Sequence, residues 1–471
     1  MNLRVDATGH GLERADGTPF FYLADTAWVL FQKLADGEAA RYFADRAAKG
    51  FTVVQSCVFR DLFEPNTPNV EGVRPFETDA DMWAVRMSPR WIERVVRLTK
   101  LAGEHGLVMG LLPTWGDKWN PHSNSAGPVI MDERSAQVYC RALSDALGEC
   151  ENVIWILGGD SPIATQEQAD IVRAMAAGLR AGASRDRLIG YHPQGQDTSA
   201  LFRGEPWLAF YSLQSSHFRP NFPNYLPIEQ LYHATPHKPT IDVEANYDGI
   251  PMFVAAWHNL QRHRHVTFAA HDVRKSYYRA VLAGAAGHGY GCEPIRQVHR
   301  RGDRVHGFPD HKLATWDEAM HWPSSSQLKL LKDVLLDRGI ETRVPAQELL
   351  RPYRQTAAWP DPMNVGLAFA GQENTDPVSH VRVARCREGR YVMAYLPVRQ
   401  TLYLDVSGLA SRRLRLTAYD PETSQVEETF DFDLPASAVV GNQAYALPTD
   451  PGMLLYIPHR VLDTFLVVDA L

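Results

Sequence analysis

Two hydrophobic runs in this sequence carry carboxylates where acid–base chemistry could take place. NVIWILGGD occupies positions 152–160 and ends on Asp160, and PTIDVEANY occupies positions 239–247 and contains Glu244. Each run is predicted to be a buried strand that ends at or near its carboxylate. In a barrel of parallel strands, the carboxyl ends surround one mouth where active sites are built. Two carboxylates facing each other across such a mouth could cleave a glycosidic bond.

Each carboxylate also has a structural interpretation. Asp160 precedes a Ser-Pro pair and could cap a helix, since aspartate is favoured at helix starts. Glu244 could instead pair with an arginine of a neighbouring strand. In the string IDVE, alternation places Asp242 and Glu244 on one face, which we predict to point into the barrel. A carboxylate there is costly unless it is paired or functional, so we interpret Glu244 as functional and Asp242 as the residue that orients it.

Polar and aromatic side chains are predicted at the same ends of other strands. Sugars are recognised by flat rings beside hydrogen-bonding groups, because their faces are apolar and their edges carry hydroxyls. Any one such residue is more often part of the core, but their recurrence at matching strand ends favours a sugar site. The polar members are Asp25, Gln55, His192, Gln214, Ser215 and His217, and the aromatic members are Trp115, Trp119 and Tyr191.

Other chemistries have weaker support in the sequence. His263 and His265 have a spacing that could hold a metal ion, but they lie in a basic stretch without a strand pattern, which favours a solvated loop. The glycines of 284–291 match neither a Walker loop nor a dinucleotide fingerprint. The sequence has no GxSxG nucleophile elbow. We therefore predict chemistry that uses neither a metal nor a cofactor.

Continuous apolar runs alternate with helix-like stretches up to about position 345. Runs that are apolar throughout are typical of strands covered on both faces. Gly50 and Gly106 follow two of the helical stretches, where a helix is expected to end. The alternation predicts an α/β fold, a (β/α)8 TIM barrel. The predicted strands are 20–28, 51–59, 107–115, 152–160, 188–193, 207–215, 239–247 and 284–291, and the predicted helices are 36–49, 88–105, 135–147, 166–179, 270–282 and 325–337.

The last part of the chain has a different pattern. Polar, proline-rich sequence at 346–376 is predicted to be a linker, and short alternating runs separated by turn residues follow it. These runs predict a small antiparallel β-sandwich over 377–471. We therefore divide the chain into a catalytic barrel with a short N-terminal β extension at 1–345, the linker, and the sandwich.

Composition limits the partners. The 48 Lys and Arg residues and 55 Asp and Glu residues give a formal charge of −7, which argues against nucleic acid or an anionic membrane. Five scattered cysteines fit neither a disulfide framework nor a zinc site. No apolar run approaches the ~20 residues needed to span a bilayer, and the N-terminus lacks a signal-peptide pattern. We expect a cytoplasmic protein with a small-molecule substrate, and we leave a homo-oligomer open.

Several strings occur in order along the predicted barrel, between about Thr18 and Gly291. They are FFYLADTAW (20–28), RAAKGFTVVQ (46–55), LLPTWGDK (111–118), NVIWILGGD (152–160), YHP (191–193), QSSH (214–217), DVEANY (242–247) and the DVRKSYY…AGAAGHGYG stretch (272–291). Together they resemble the apiosidase-like glycoside hydrolases, glycoside hydrolase family 140, whose barrel was long listed as a domain of unknown function. The terminal sandwich resembles the collagen-binding-like β domain that follows the barrel in this family.

The resemblance implies that the catalytic aspartate and glutamate of the family fall on Asp160 and Glu244. We assign Asp160 as the acid/base and Glu244 as the nucleophile of an exo-acting enzyme. The implied reaction releases terminal apiose, a branched furanose, from a glycoside or oligosaccharide. Carboxylates after strands four and seven resemble many retaining barrel enzymes, so we expect retention. The predicted sugar-binding residues are Asp25, Trp115, His192, Gln214, His217, Asp242, Tyr247 and His288.

The sequence departs from the family at the eighth strand. YGCEPIRQV (290–298) stands where the family usually reads YGHNSVWQF, so Cys292 and Arg296 replace a histidine and a tryptophan. QSSH also replaces the more frequent QSGH. These changes keep three alternatives open: a glycosidase for another pentofuranoside such as arabinofuranose, an enzyme for a different glycoside, or a carbohydrate-binding module without activity.

Overall fold

The computed structural model describes residues 2–123, 127–182, 186–252, 266–308, 311–351, 376–434, 436–440, 443–446 and 452–471. His263 and His265 lie outside these residues, as does most of the predicted linker. The chain begins with a small antiparallel sheet of β1 (Leu3–Val5), β2 (Leu12–Arg14) and β3 (Pro19–Phe20). Leu3, Leu12 and Phe20 are buried in the same apolar cluster as the barrel interior, so this sheet closes the amino-terminal end of the barrel.

Eight parallel strands form the barrel. They are β4 (Tyr22–Thr26), β5 (Val53–Cys57), β6 (Val108–Leu112), β7 (Val153–Gly158), β8 (Ile189–His192), β9 (Tyr211–Leu213), β10 (Thr240–Asp242) and β11 (Gly287–Tyr290). They pair in the order β8-β7-β6-β5-β4-β11-β10-β9. A parallel bridge between Ile189 and Leu208 joins the two ends of this order and closes the sheet. The predicted barrel is confirmed, and each predicted run contains one observed strand.

Helices lie between the barrel strands along the chain and after the last of them. They are α1 (Leu30–Lys33), α2 (Asp36–Ala48), α3 (Asp79–Trp83), α4 (Pro89–Glu104), α5 (Glu133–Ala146), α6 (Gln166–Gly182), α7 (Tyr225–Tyr232), α8 (Ala270–Leu282), α9 (Glu293–Arg296), α10 (Trp316–Ala319), α11 (Ser324–Gln327) and α12 (Lys329–Asp337). All six predicted helices are present, although the last is split between α11 and α12. Between β8 and β9 the described chain has one short 3₁₀ turn, Ser199–Phe202, in place of a helix.

Side chains of the barrel strands alternate between two apolar layers. Ile154 and Ile156 of β7 belong to the inner cluster, whereas Trp155 and Leu157 belong to the cluster beneath the helices. This two-residue period is the ordinary geometry of a strand. Both layers are apolar, which explains why the sequence of each strand is hydrophobic throughout. Whether a polar side chain points into the barrel or toward the helices therefore depends on its position in this alternation.

The C-terminal region contains two further sheets. Their strands are β12 (Arg343–Pro345), β13 (Arg382–Cys386), β14 (Tyr391–Leu396), β15 (Leu402–Asp405), β16 (Arg413–Tyr419), β17 (Val426–Asp433), β18 (Ala436–Val440), β19 (Gln443–Ala446), β20 (Met453–Ile457) and β21 (Thr464–Ala470). The larger sheet is antiparallel in the order β12-β13-β14-β21-β16-β17. The smaller one, β15-β20-β18-β19, is mixed because β18 and β20 run parallel. Apolar side chains of both sheets form one core.

A buried ion pair connects the barrel to the C-terminal region. The guanidinium of Arg274 on α8 donates from Nε and Nη2 to the two carboxylate oxygens of Asp463, both at 2.8 Å. Tyr395 also donates to this carboxylate, at 2.9 Å, and Gln327 accepts from Arg274 at 2.6 Å. The two charged side chains are 2% and 0% exposed. Each charge therefore has partners that replace the water it loses.

We expect Arg274→Ala to destabilise the protein by about 3–5 kcal/mol, because it leaves the Asp463 carboxylate buried without its counter-charge. Chemical unfolding followed by circular dichroism measures this loss. The matched control is Lys329→Ala, since Lys329 and Asp333 form an exposed pair on α12. The control should change stability by less than about 0.5 kcal/mol. Equal effects of the two substitutions would contradict a bracing role for the buried pair.

Candidate active site

Three consecutive left-handed residues carry Asp160 away from the end of β7. The φ angles of Gly158, Gly159 and Asp160 are +96°, +102° and +48°. Glycine is required at the first position, since a Cβ there would collide with the backbone carbonyl of His192. Asp160 is half-buried, and its Oδ1 accepts a hydrogen bond from the backbone N–H of Gly195 at 3.1 Å. The next helix, α6, begins only at Gln166, so Asp160 does not cap it.

Glu244 lies in the mouth among polar side chains from neighbouring strand ends. Its Oε1 accepts a hydrogen bond from Gln214 Nε2 at 3.1 Å and lies 3.9 Å from His217 Nε2. Its Oε2 lies 3.3 Å from His192 Nε2. Among the residues that the structure describes, no arginine forms a salt bridge with Glu244. The carboxylate therefore lies among an amide, two imidazoles and the Tyr247 side chain, which also hydrogen-bonds it, and the described residues do not show the alternative of a structural pair with arginine.

Aromatic rings flank the two carboxylates. The indole N–H of Trp28 donates to the hydroxyl of Tyr247 at 3.1 Å. The ring centroids of Trp28 and Trp115 are 5.0 Å apart, and the His192 ring lies 5.5 and 5.6 Å from these two. The rings of His217 and Tyr247 are 4.9 Å apart. The mouth therefore combines aromatic rings with hydrogen-bonding groups, as sugar sites do.

The local environment shifts the pKa values of the two carboxylates in opposite directions. Burial opposes ionisation of Glu244, but hydrogen bonding to His192, the charges that His192 and His217 carry when protonated, and hydrogen bonding to Tyr247 outweigh it, so its pKa falls to about 2. Burial and the nearby charge of Glu244 raise the pKa of Asp160 above its ordinary value. Burial lowers the pKa of His217 to about 4. Paired groups whose pKa values diverge in this way can serve as acid and nucleophile.

Seven predicted site residues come together in the mouth, and three do not. The first group comprises Asp160, Glu244, Trp115, His192, Gln214, His217 and Tyr247. The other three point toward the helices. Asp25 accepts hydrogen bonds from Tyr42 at 2.9 Å and from Arg46 at 3.1 Å, and the ring of His288 lies 5.3 Å from that of Tyr277 on α8.

Asp242 is the third residue that faces outward, in contrast to the expectation that it shares a face with Glu244. It accepts hydrogen bonds from the backbone and hydroxyl of Ser215 at 3.1 and 2.7 Å and from Asn224 at 3.1 Å. Its neighbours Ile241 and Val243 point into the inner core. β10 ends at Asp242, so regular alternation does not extend to Glu244. Asp242 thus anchors the chain after β9.

Two residues of the mouth were not among the predicted site residues. Trp28 ends the first predicted strand run, and Arg60 follows the second one directly. The Arg60 guanidinium lies 3.6 Å above the Trp115 ring, and the side chain is 5% exposed. Their positions at strand ends were a usable signal, but nothing in their residue types separates them from core or surface residues.

The residues at which the sequence departs from the family after the eighth strand form one wall of the mouth. Arg296 donates from Nε and Nη2 to the carboxylate of Glu293, and both residues are buried. Cys292 is fully buried beside them. Within the described part of the chain, no group of three or more metal-ligating side chains could hold an ion. No helix in that part is long and apolar enough to cross a membrane.

Comparison with known proteins identifies the class. Residues 6–342 match the family model described as the apiosidase-like catalytic domain. The chain therefore belongs to the apiosidase-like family, and it is a glycoside hydrolase. A comparison with curated proteins finds no match.

Two solved structures are similar to the chain along its whole length. One is described as a glycoside hydrolase, with a TM-score of 0.80, 23% identity and coverage of 100% of this chain and 97% of that one. The other is a glycoside hydrolase family 5 protein from Bacteroides vulgatus ATCC 8482, with a TM-score of 0.81, 23% identity and coverage of 100% and 92%. At this identity the likeness shows a shared fold.

We expect Gly158→Ala to disrupt the turn that carries Asp160, because the added Cβ meets the backbone of β8 as well as an unfavourable φ angle. The control is Gly72→Ala, where φ is +74° and nothing lies within 4 Å of an added Cβ. The control should cost about 1–2 kcal/mol from backbone strain alone. Chemical unfolding should show a clearly larger loss for Gly158→Ala, accompanied by loss of activity. Equal losses would indicate that the turn tolerates a side chain.

Proposed function

We propose that the protein is an exo-acting glycoside hydrolase that removes a terminal apiose-type furanose with retention of configuration. In this proposal Asp160 is the acid/base and Glu244 is the nucleophile. The observation that carries it is the pairing of two carboxylates in one mouth, with Glu244 held ionised and Asp160 biased toward its protonated form. The family match favours apiose over other sugars.

The first step forms a covalent intermediate. The Asp160 carboxyl gives its proton to the glycosidic oxygen as the bond to the anomeric carbon breaks, and the aglycone leaves as an alcohol. A Glu244 oxygen attacks the anomeric carbon from the opposite face and forms a glycosyl ester. The transition state carries positive charge on the sugar ring, which the carboxylate of Glu244 stabilises.

The second step hydrolyses the ester. Asp160, now a carboxylate, removes a proton from water while the water oxygen attacks the anomeric carbon. The bond to Glu244 breaks, the sugar leaves with its original configuration, and Asp160 is protonated again. The hydrogen bond from Gln214 holds Oε1 of Glu244, and it constrains the orientation of the carboxylate through both steps.

A small terminal sugar is consistent with the surroundings of Glu244. The rings of Trp28, Trp115 and Tyr247 lie close around it and are almost completely buried. Because so little of the Glu244 carboxylate is exposed, the site favours a small terminal residue such as a furanose over a long chain passing through the mouth. An arabinofuranoside would present a ring of the same size and is the alternative substrate.

We expect the enzyme to release apiose from apiosides and to act more slowly on arabinofuranosides, as measured by chromatography of the released sugars. Proton NMR early in the reaction should show the anomer of the substrate. Glu244→Gln and Asp160→Asn should each lower kcat by about 10²–10⁴-fold. Glu133→Gln, at an exposed carboxylate in the first turn of α5, is the control and should leave turnover unchanged.

Each part of this proposal has its own contradicting result. Unchanged turnover by Glu244→Gln would refute the assigned nucleophile. If arabinose is released faster than apiose, the preferred substrate is an arabinofuranoside. A product of inverted anomeric configuration would exclude the covalent intermediate. Binding of apiosides without turnover by the unmodified protein would indicate a carbohydrate-binding module.

The pH profile of kcat/KM should reflect the two shifted pKa values. Glu244 must be ionised, and its pKa of about 2 places the acidic limb far below neutral pH. Asp160 must be protonated, so activity should fall as pH rises through its raised pKa. Initial rates between pH 3.5 and 9 test this. With an aryl glycoside whose leaving group needs no proton, Asp160→Asn should abolish the alkaline limb of the kcat/KM profile. If the limb persists in this variant, it belongs to another ionisable group.

A further inference from the structure

His192 lies between the two proposed catalytic residues and is withdrawn from solvent. It ends β8, and its side chain is 0% exposed. The rings of Trp28 and Trp115 flank it, and they fix the plane of the imidazole. A side chain in this position has little surface to offer a sugar. A role other than the predicted contact with substrate is therefore needed to explain His192.

The Nδ1 edge of the imidazole faces the turn that carries Asp160. The backbone N–H of Asp160 donates to Nδ1 at 3.3 Å. Two further hydrogen bonds hold the turn against the end of β8 and the residues that follow it. Gly159 N–H donates to the His192 carbonyl at 3.2 Å, and Gly195 N–H donates to Asp160 Oδ1 at 3.1 Å. The left-handed conformation of Asp160 is costly for a residue with a side chain. The contact with Nδ1 helps to hold it.

The Nε2 edge faces Glu244. Nε2 lies 3.3 Å from Glu244 Oε2, and within the described residues neither atom makes a well-aligned hydrogen bond, either with the other or with a further group. An Nδ1 that accepts the amide proton of Asp160 requires the proton of the neutral ring to be on Nε2, directed at the carboxylate. The carbonyl of Pro193, 3.1 Å from Nδ1, would favour the other tautomer. An ionised carboxylate is the stronger acceptor of the two, so it favours the proton on Nε2.

We propose that His192 is a positioning residue that fixes the proposed acid and nucleophile relative to each other, with Nδ1 holding the backbone of Asp160 and Nε2–H holding the carboxylate of Glu244. The inference rests on the proposed function for its catalytic meaning. A single rigid ring spans the two groups, so a displacement at one end affects the other. Misplacing a reacting group by about 1 Å can cost about 10²-fold in rate.

Two substitutions separate the two contacts. The amide of asparagine reaches about the position of Nδ1 and that of glutamine about the position of Nε2. His192→Asn should keep the contact with Asp160 and lose the one with Glu244. His192→Gln should do the reverse. His321→Asn, at an exposed histidine, is the control for the substitution itself.

The first measurement uses the resting enzyme. With ¹³C-labelled glutamate and Glu244→Gln for assignment, the Glu244 carboxyl should show no titration above pH 3.5 in the unmodified protein or in His192→Gln. It should titrate at higher pH in His192→Asn, because removing a donor disfavours the charged form. The other ionisable groups facing Glu244 are unchanged in both variants: Asp160, Asp242, His217, Tyr247, Arg60, Arg296, Cys57 and Glu293.

The second measurement separates positioning from substrate binding. Both variants should lower kcat by about 10–10²-fold with a smaller change in KM. The acidic limb of kcat/KM should move to higher pH only in His192→Asn. A raised KM with unchanged kcat in both variants would overturn the proposal in favour of direct substrate contact.

The unmodified protein gives a test that does not depend on the variants' folding. ¹⁵N spectra of labelled histidine should show His192 protonated at Nε2 and not at Nδ1, and the reverse tautomer would overturn the proposal. An unshifted Glu244 titration in a folded His192→Asn would also overturn it, even if Glu244→Gln is inactive. Conversely, the expected titration shift combined with full activity of Glu244→Gln would keep the contact and refute the proposed function.

Discussion

The register of β7 against β8 is the constraint on which the mouth depends. Gly158 pairs with His192, so the two strands end at the same height. The turn that carries Asp160 can therefore be hydrogen-bonded to the end of β8. A slip of one residue would exchange the faces of β8 and direct His192 toward the helices. The packing of Gly158 against the His192 carbonyl resists any change that adds a side chain there.

The mouth holds more charge than an ordinary protein interior. Glu244 is 4% exposed and stays ionised because an amide, two imidazoles and the Tyr247 side chain replace its water. Arg296 and Glu293 neutralise each other, whereas the Arg60 guanidinium has only the face of Trp115 as a close partner among the described residues. Burial of such groups costs stability. The apolar layers on both sides of the sheet offset that cost.

The sequence predicts the barrel strands well because each is continuously apolar, but that property conceals which way a polar residue points. Asp25, Asp242 and His288 lie in barrel strands, yet alternation turns them toward the helices. A strand covered on both faces shows no polarity pattern from which the face could be inferred. α7 was not predicted because Pro227 interrupts its pattern, although proline is tolerated in a first turn. The paired glycines before Asp160, in contrast, are a sequence signal that matches the sharp turn observed there.

After the eighth strand, the structure shows the surroundings of a residue that departs from the family sequence. The family resemblance leads one to expect a tryptophan at position 296, where this chain has arginine. The Arg296 guanidinium is bound to Glu293 and to the His306 carbonyl, so it is part of a fixed wall. Its charge acts on Tyr247 and Glu244. An indole would offer the sugar a flat face at this point. The ion pair is polar instead, so a sugar bound against it would be selected by the positions of its hydroxyls more than by stacking.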